Sequence, residues 1–454
     1  MKTEPGTRRL DRSDLRAYFE SGFKPPSTYG LGIEYERFGL VRREDGSLAP
    51  LPIDGPVSVT AVLQTLVDRF HWQPLWTEGR LIELSRDGTR ITLEPGGQME
   101  LSGAICRSMA ESAREMSLYL RDVAVVSEEK GIRWIASGTH PVATVEQIPW
   151  LLKKRYAVMK QYLPSHGRHA HQMMKGTCGQ QVNLDFSDEA DAMEKLRVTM
   201  ALAAVVAALF ANSPITAGRV NGYLTERMAV WLDTDPDRAG LLRLAFDLSS
   251  SFDDYIDYAL GVPMFFLVRD EGYIPMNGTT FGSFLEKGRK GHHATIQDWE
   301  VHLTTLFPDV RLKSYIEIRG TDSNIPGLAL SHCALYKGIL YGGRDALAAA
   351  WAPLAKLTWE ERLRLREDIC SRGLRAAAGS RTVREIATEI IEVAKAGLAA
   401  AGSPDEAAWL VPLRTQIVER GTTPAEEALA RFGAGSGGNI ETVLAHMART
   451  DIFP

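Results

Sequence analysis

Apolar and polar residues alternate with a period of two in several short runs of the first two-thirds of the chain. In residues 32–38 (GIEYERF) Glu34 and Glu36 share one face, and in residues 181–186 (QVNLDF) Gln181, Asn183 and Asp185 lie opposite Val182, Leu184 and Phe186. Such alternation is that of a strand with one buried and one polar face. It predicts strands over residues 32–40, 80–84, 91–94, 132–138, 180–186 and 310–320, with a hairpin at Asp87-Gly88.

The period becomes helical over residues 102–130. A long apolar helix follows Ser187 as N-cap, with Asp188 and Glu189 in its first turn, and stops before Asn212-Ser213-Pro214. Another helix begins near Asp298, and beyond about Ala346 the chain is Ala-rich and helical. Four capping-box spacings mark helix starts there: Thr358 with Glu361, Thr382 with Glu385, Ser403 with Glu406 and Thr423 with Glu426. Residues 433–438 read as a flexible loop before a last helix. The expected fold is α+β, a largely antiparallel sheet framed by helices. It forms a single unit: an arm and helix (about 1–28), a sheet-containing core (29–345) and a helical C-terminal region (346–454).

Composition narrows the function. With 44% hydrophobic and 24% charged residues and a net charge of -5, the chain has material for a core and shows no nucleic-acid footprint. The most apolar run, residues 200–211, is shorter than the roughly 20 residues that span a bilayer, so it reads as a buried helix and no membrane partner is expected. Residues 1–10 lack the apolar stretch of a secretory signal and read as a disordered arm, and the four scattered cysteines suggest neither zinc nor a disulfide framework. A cytoplasmic protein is the expectation.

The polar faces carry the chemistry. Glu34 and Glu36, about 7 Å apart along a strand, need a cation between them or water around them. Residues 93–103 (LEPGGQMELSG) place Glu94 and Glu100 on either side of a Pro-Gly-Gly turn, where bare backbone can approach a ligand. Gln181 and Asn183 add hard oxygens of the kind Mg²⁺ takes alongside carboxylates and phosphates, although a solvent-facing strand would look the same. On a strand over 310–320, Arg311, Lys313, Tyr315, Glu317 and Arg319 share a face, either as a metal-nucleotide site or as an ion-pair ladder. No Gly-Lys-Ser/Thr phosphate loop occurs in the chain. Arg155 and Arg227 are candidate forks for a substrate carboxylate. The acidic run 231–238 reads as a turn locked by Asp and Arg.

Residues 93–104 (LEPGGQMELSGA), 181–187 (QVNLDFS), 209–214 (LFANSP), 299–313 (WEVHLTTLFPDVRLK) and 315–320 (YIEIRG) together resemble the plant and proteobacterial type of glutamate-cysteine ligase. The resemblance runs from Gly32 to about Thr423. It implies a glutamine synthetase-like antiparallel sheet forming a funnel, and ATP- and Mg²⁺-dependent ligation of glutamate's γ-carboxylate to the amine of cysteine. It further implies that Glu34, Glu36, Glu94, Glu100, Gln181, Asn183 and Glu317 surround Mg²⁺, and that Lys313 and Arg319 contact ATP phosphates and act catalytically. Arg155 and Arg227 would bind glutamate, with Tyr156 and Phe265 near the acceptor. Phe265 stands where the pattern carries Tyr, and Gly176 and Gly179-Gln180 replace Arg and Thr-Val, so a different acceptor amine is the alternative, and a non-catalytic glutamate or nucleotide sensor a second. A monomer or weak homodimer acting on small molecules is expected.

Overall fold

The structure, a computed structural model, describes residues 9–270, 272–433 and 439–452. Its central sheet has ten strands: β1 (Leu31–Arg42), β2 (Leu48–Pro50), β3 (Gln73–Thr77), β4 (Arg80–Arg86), β5 (Thr89–Leu93), β6 (Met99–Ser102), β7 (Ile132–Ile135), β8 (Gly179–Leu184), β9 (Val310–Leu312) and β10 (Ile316–Asp322). The main order is β9-β10-β8-β1-β6-β5-β4-β3, every pairing is antiparallel, and β2 and β7 flank the far half of β1. The expected α+β architecture is present, and the sheet remains open at its β9 and β3 edges.

β1 shows how sequence sets exposure. Ile33, Tyr35 and Arg37 are buried while Gly32, Glu34 and Glu36 stay half-buried; from Arg37 to Leu40 every residue is buried, because that stretch is covered on both faces. The β4-β5 hairpin turns at Asp87 (φ 51°) and Gly88 (φ 86°), the two left-handed residues that the expected Asp-Gly turn needs.

The strand expected over 310–320 is instead two strands. β9 and β10 fold back on each other with Arg311 opposite Glu317 and Leu312 opposite Ile316, and the Lys313 N–H donates to the Tyr315 carbonyl at 2.8 Å. Alternation does not reveal the reversal, since cross-strand partners in a hairpin share a face just as i and i+2 do. The consequence is large: Arg311 and Glu317 touch, whereas in one extended strand they would lie about 20 Å apart.

The helices relevant to the site are α1 (Met109–Lys130), α2 (Lys154–Tyr162), α3 (Ala170–Gly176), α4 (Glu189–Leu209), α5 (Glu226–Leu232), α6 (Pro326–Tyr341), α7 (Trp359–Arg372) and α8 (Val383–Ala400). α4 starts one residue later than expected: its cap is Asp188, whose side chain accepts from the Asp191 N–H at 2.9 Å. α4 and α6 are apolar on nearly every side and lie in the core, one contiguous cluster that extends from Leu15 to Val418. No helix among the described residues is long and apolar enough to cross a membrane.

In the C-terminal region the boxes at Thr358, Thr382 and Thr423 form. The one at Ser403 does not. Glu406 instead accepts from the Met109 N–H (2.9 Å) and from Lys337 Nζ (2.6 Å), and the segment becomes a 3₁₀ helix, Pro404–Leu410, followed by a π turn, Leu413–Val418. A long-range ion pair there outcompetes the local cap. Of the expected arm, residues 1–8 lie outside the described residues, as do 434–438 of the expected flexible loop. All four cysteines are buried and free.

Candidate active site

Strand register gathers the acids. Across the sheet Glu36 faces Glu100, Glu34 faces Gln181, and Glu317 faces Asn183. Gln98 shapes the Pro-Gly-Gly turn by accepting from the Gly96 N–H (2.7 Å) and donating to the Thr177 carbonyl (2.9 Å), while Gly97 takes the left-handed φ of 79°. Glu94 is thereby brought beside the acids of β1 and β6.

These residues line a cavity of about 250 Å³ whose polar wall comprises Glu34, Glu36, Glu94, Glu100 and Gln181, with Arg155, Arg227, Arg311 and Arg319. Tyr156, Met159, Met173, Met174, Trp231 and Phe307 supply the apolar wall. Arg155 and Tyr156 come from the first turn of α2, and Tyr156 is fixed by donating its hydroxyl to the Leu93 carbonyl at 3.2 Å. Arg227 comes from the first turn of α5.

Four expected site residues are not among those lining the cavity. Asn183 sits behind Glu34, donating to it at 2.8 Å. Glu317 is clasped by three cations: Arg311 in a fork (2.6–3.0 Å), Arg319 (2.5 Å) and Lys313 (3.3 Å). Lys313 is therefore directed onto Glu317. Phe265 is buried, packed edge-on to Tyr162 and behind Phe307, with the Arg238 guanidinium 3.9 Å over its ring. Arg238 is in turn paired with buried Asp235 at 2.6 Å, the lock expected within 231–238.

The carboxylates divide electrostatically. Burial would raise the pKa of Glu317, but Arg311, Lys313 and Arg319 outweigh it and hold the group far below the usual range. Burial raises Glu34, and the charge of Glu317 adds to this; burial and neighbouring Glu94 hold Glu36 up to about 7. Glu100 is raised well above its ordinary value by burial and then by Glu34, Glu94 and Glu36. The acids raise one another across the cavity, and Arg319 offsets this only in part at Glu34 and Glu36.

Among the described residues no three acidic, histidine or cysteine side chains converge as a closed metal centre. The donor chemistry nevertheless suits Mg²⁺, which binds through a few carboxylates and completes its shell with water and phosphate oxygens. The side-chain oxygens of Gln181 and Asn183 are buried without a hydrogen-bond partner, which leaves hard donors free beside the acids.

Reading the sequence for site residues passes over Gln98, Trp231 and the methionines of α2 and α3. Arg311 was signalled by its place on the Glu317 face, but its fork depends on a reversal that alternation hides. Trp231 lies four residues after Arg227, one helical turn on, which was a usable signal. The methionines carried none.

A cavity that sets acids against arginines over an antiparallel sheet has the make-up of an enzyme site for anionic small molecules. The chain belongs to the glutamate-cysteine ligase family: the model of Glutamate-cysteine ligase family 2 matches residues 30–446. Chloroplastic glutamate-cysteine ligases are 38% identical in Brassica juncea and 39% in Arabidopsis thaliana, each over 446 residues, covering 97% of this chain and 84% and 83% of the relatives. Ligase B of Oryza sativa subsp. japonica is 38% identical over 430 residues, covering 94% of this chain and 84% of its own. The crystal structure of glutamate-cysteine ligase from Francisella tularensis in complex with AMP shares the fold, with a TM-score of 0.54 at 11% identity and coverage of 93% and 88%. The protein is thus a ligase. The expectation of a cytoplasmic protein is overturned by these relatives, which are chloroplastic enzymes.

Proposed function

We propose that the chain joins the γ-carboxylate of glutamate to the amine of cysteine through a γ-glutamyl phosphate formed from ATP. The observation that carries this reading is the set of acids Glu34, Glu36, Glu94 and Glu100 facing Arg155, Arg227 and Arg319 in one cavity. Glutamate's α-carboxylate fits the forks of Arg155 and Arg227, whose Nε atoms are buried without a partner. Glu34, Glu36, Glu94, Glu100 and Gln181, with Asn183 behind them, would hold Mg²⁺. When bound it would neutralise charge on the triphosphate.

In the first step a γ-carboxylate oxygen attacks the γ-phosphorus of ATP and ADP departs. Arg319, which lines the cavity, faces the charge that builds on the transferred group. Arg311, with donors committed to Glu317 and to the Thr304 and Leu306 carbonyls, is its support, and Lys313 adds its charge from behind Glu317. In the second step the neutral amine attacks the acyl carbon, the C–N bond forms, phosphate leaves with the electron pair of the broken C–O bond, and the amine nitrogen gives up one proton to solvent. No protein nucleophile is needed, and positioning does most of the work. The methionine-rich wall, Met159, Met173 and Met174, suits a thiol side chain, which favours cysteine over a more polar acceptor.

Purified protein supplied with ATP, Mg²⁺, glutamate and a panel of amines, scored by product mass, tests the acceptor. γ-Glutamylcysteine should dominate; faster product formation with another amine than with cysteine would refute cysteine.

A further inference from the structure

Arg227 has few fixed contacts for a buried guanidinium. Among the described residues its side chain donates only to the Arg319 carbonyl (Nη2–O 3.1 Å), and Nε has no partner. Its location is set from behind, at the first turn of α5. Asp322, the last residue of β10, is 1% exposed, and its Oδ2 accepts from the Asn212 N–H (2.8 Å) and the Ser213 hydroxyl (2.6 Å) while Oδ1 accepts from the Thr225 hydroxyl (2.9 Å). Both hydroxyls then serve α5: Ser213 Oγ accepts from the Arg227 N–H (3.2 Å) and Thr225 Oγ1 from the Met228 N–H (3.3 Å). One buried carboxylate thus holds both acceptors of the helix start.

Two glycines make room for this arrangement. A Cβ on Gly138 would lie 2.3 Å from the Asp322 carboxyl carbon, and a Cβ on Gly179 would lie 2.7 Å from Arg227 Nη2. Gly179 is one of the positions where this chain departs from the plant-like pattern.

We propose that Asp322 is a positioning residue for glutamate binding: through Ser213 and Thr225 it fixes the first turn of α5, and with the clearance at Gly179 this sets where the Arg227 guanidinium meets the substrate's α-carboxylate. The proposal rests on the reading of Arg227 as the glutamate clamp. Its chemistry is specific, because three donors converge on two carboxylate oxygens, and an amide in their place offers one acceptor oxygen and turns an N–H toward the others.

Asp322→Asn should raise KM for glutamate about tenfold, with kcat within about threefold and KM for ATP and cysteine within about twofold. Gly179→Ala should move the glutamate KM in the same direction, because the added methyl would lie 2.7 Å from Arg227 Nη2 and press it off the Arg319 carbonyl. Arg227→Gln separates the two levels. If it leaves the glutamate KM unchanged, the clamp reading itself fails. If it raises that KM while Asp322→Asn and Gly179→Ala do not, the positioning role is overturned. The role is also overturned if Asp322→Asn raises all three KM values in step with a lowered Tm, the mark of general destabilisation. Combining Asp322→Asn with Arg227→Gln should add little to Arg227→Gln alone, since both act through one contact.

Discussion

Two carboxylates near the cavity should respond in opposite ways to loss of charge. Glu317 is the shared anion of Arg311, Lys313 and Arg319. Glu317→Gln leaves three cations facing one another in a buried place, and urea unfolding should show a loss of about 3 kcal/mol. Glu94 contributes instead to the mutual repulsion felt by Glu36 and Glu100. Glu94→Gln should therefore leave the unfolding midpoint equal or higher while abolishing turnover; retained turnover would remove Glu94 from the metal-nucleotide site. His332 offers a pH test away from the cavity. Neither ring nitrogen has a partner, the ring lies between Phe210 and Tyr336, and burial lowers its pKa to about 3. Below the ordinary pKa of 6.5 the unfolded chain takes up a proton that the folded chain refuses, so folded stability is lost as pH falls from about 6.5 toward 3. His332→Phe should remove this share, gaining on the unsubstituted protein by about 1.4 kcal/mol per pH unit below about 6. Equal acid sensitivity of the two proteins would show that His332 does not titrate in this way. The acids at this scale were legible because Glu in a buried alternation is unusual. Glu317's saturation was not, because it depends on partners that the chain brings back from a hairpin.

Elements were legible where local chemistry decides them. Asp87-Gly88 makes the turn its two left-handed residues favour, and Thr358, Thr382 and Thr423 cap helices through their own third neighbours. They were not legible where a distant group intervenes. Ser403 has the same spacing to Glu406, yet Glu406 is held by Lys337 of α6 and the Met109 N–H of α1. Lys337 is buried, and its Nζ otherwise donates to the Arg107 carbonyl. Glu406→Ala should thus cost about 3 kcal/mol, as an unpaired buried ammonium does, and not the roughly 1 kcal/mol of a lost cap. Unfolding of that variant in urea distinguishes the two values. The β9-β10 reversal belongs to the same class: a period of two reports which face a residue occupies but not whether the chain has turned.

At the scale of the whole molecule, the α+β class and an acid-lined antiparallel sheet were readable because β1, β6 and β8 each carry their acids or amides on the cavity face. The openness of the sheet was not, since closure depends on edge strands that never meet. Cytoplasmic location was inferred from the lack of an apolar N-terminal stretch, a feature that does not separate cytoplasm from the chloroplast in which the relatives work. The C-terminal helices are part of the same construction: the Cys370 carbonyl of α7 accepts from the Leu224 and Thr225 N–H groups just ahead of α5, so α7 braces the helix that carries Arg227. On the proposed function, this cavity activates glutamate by moving a phosphoryl group onto its γ-carboxylate. Glutamate labelled with ¹⁸O in that carboxylate, incubated with the protein, ATP, Mg²⁺ and cysteine, tests it by the mass of the released phosphate. One labelled oxygen should appear in phosphate for each γ-glutamylcysteine formed; dipeptide accompanied by unlabelled phosphate would contradict the account.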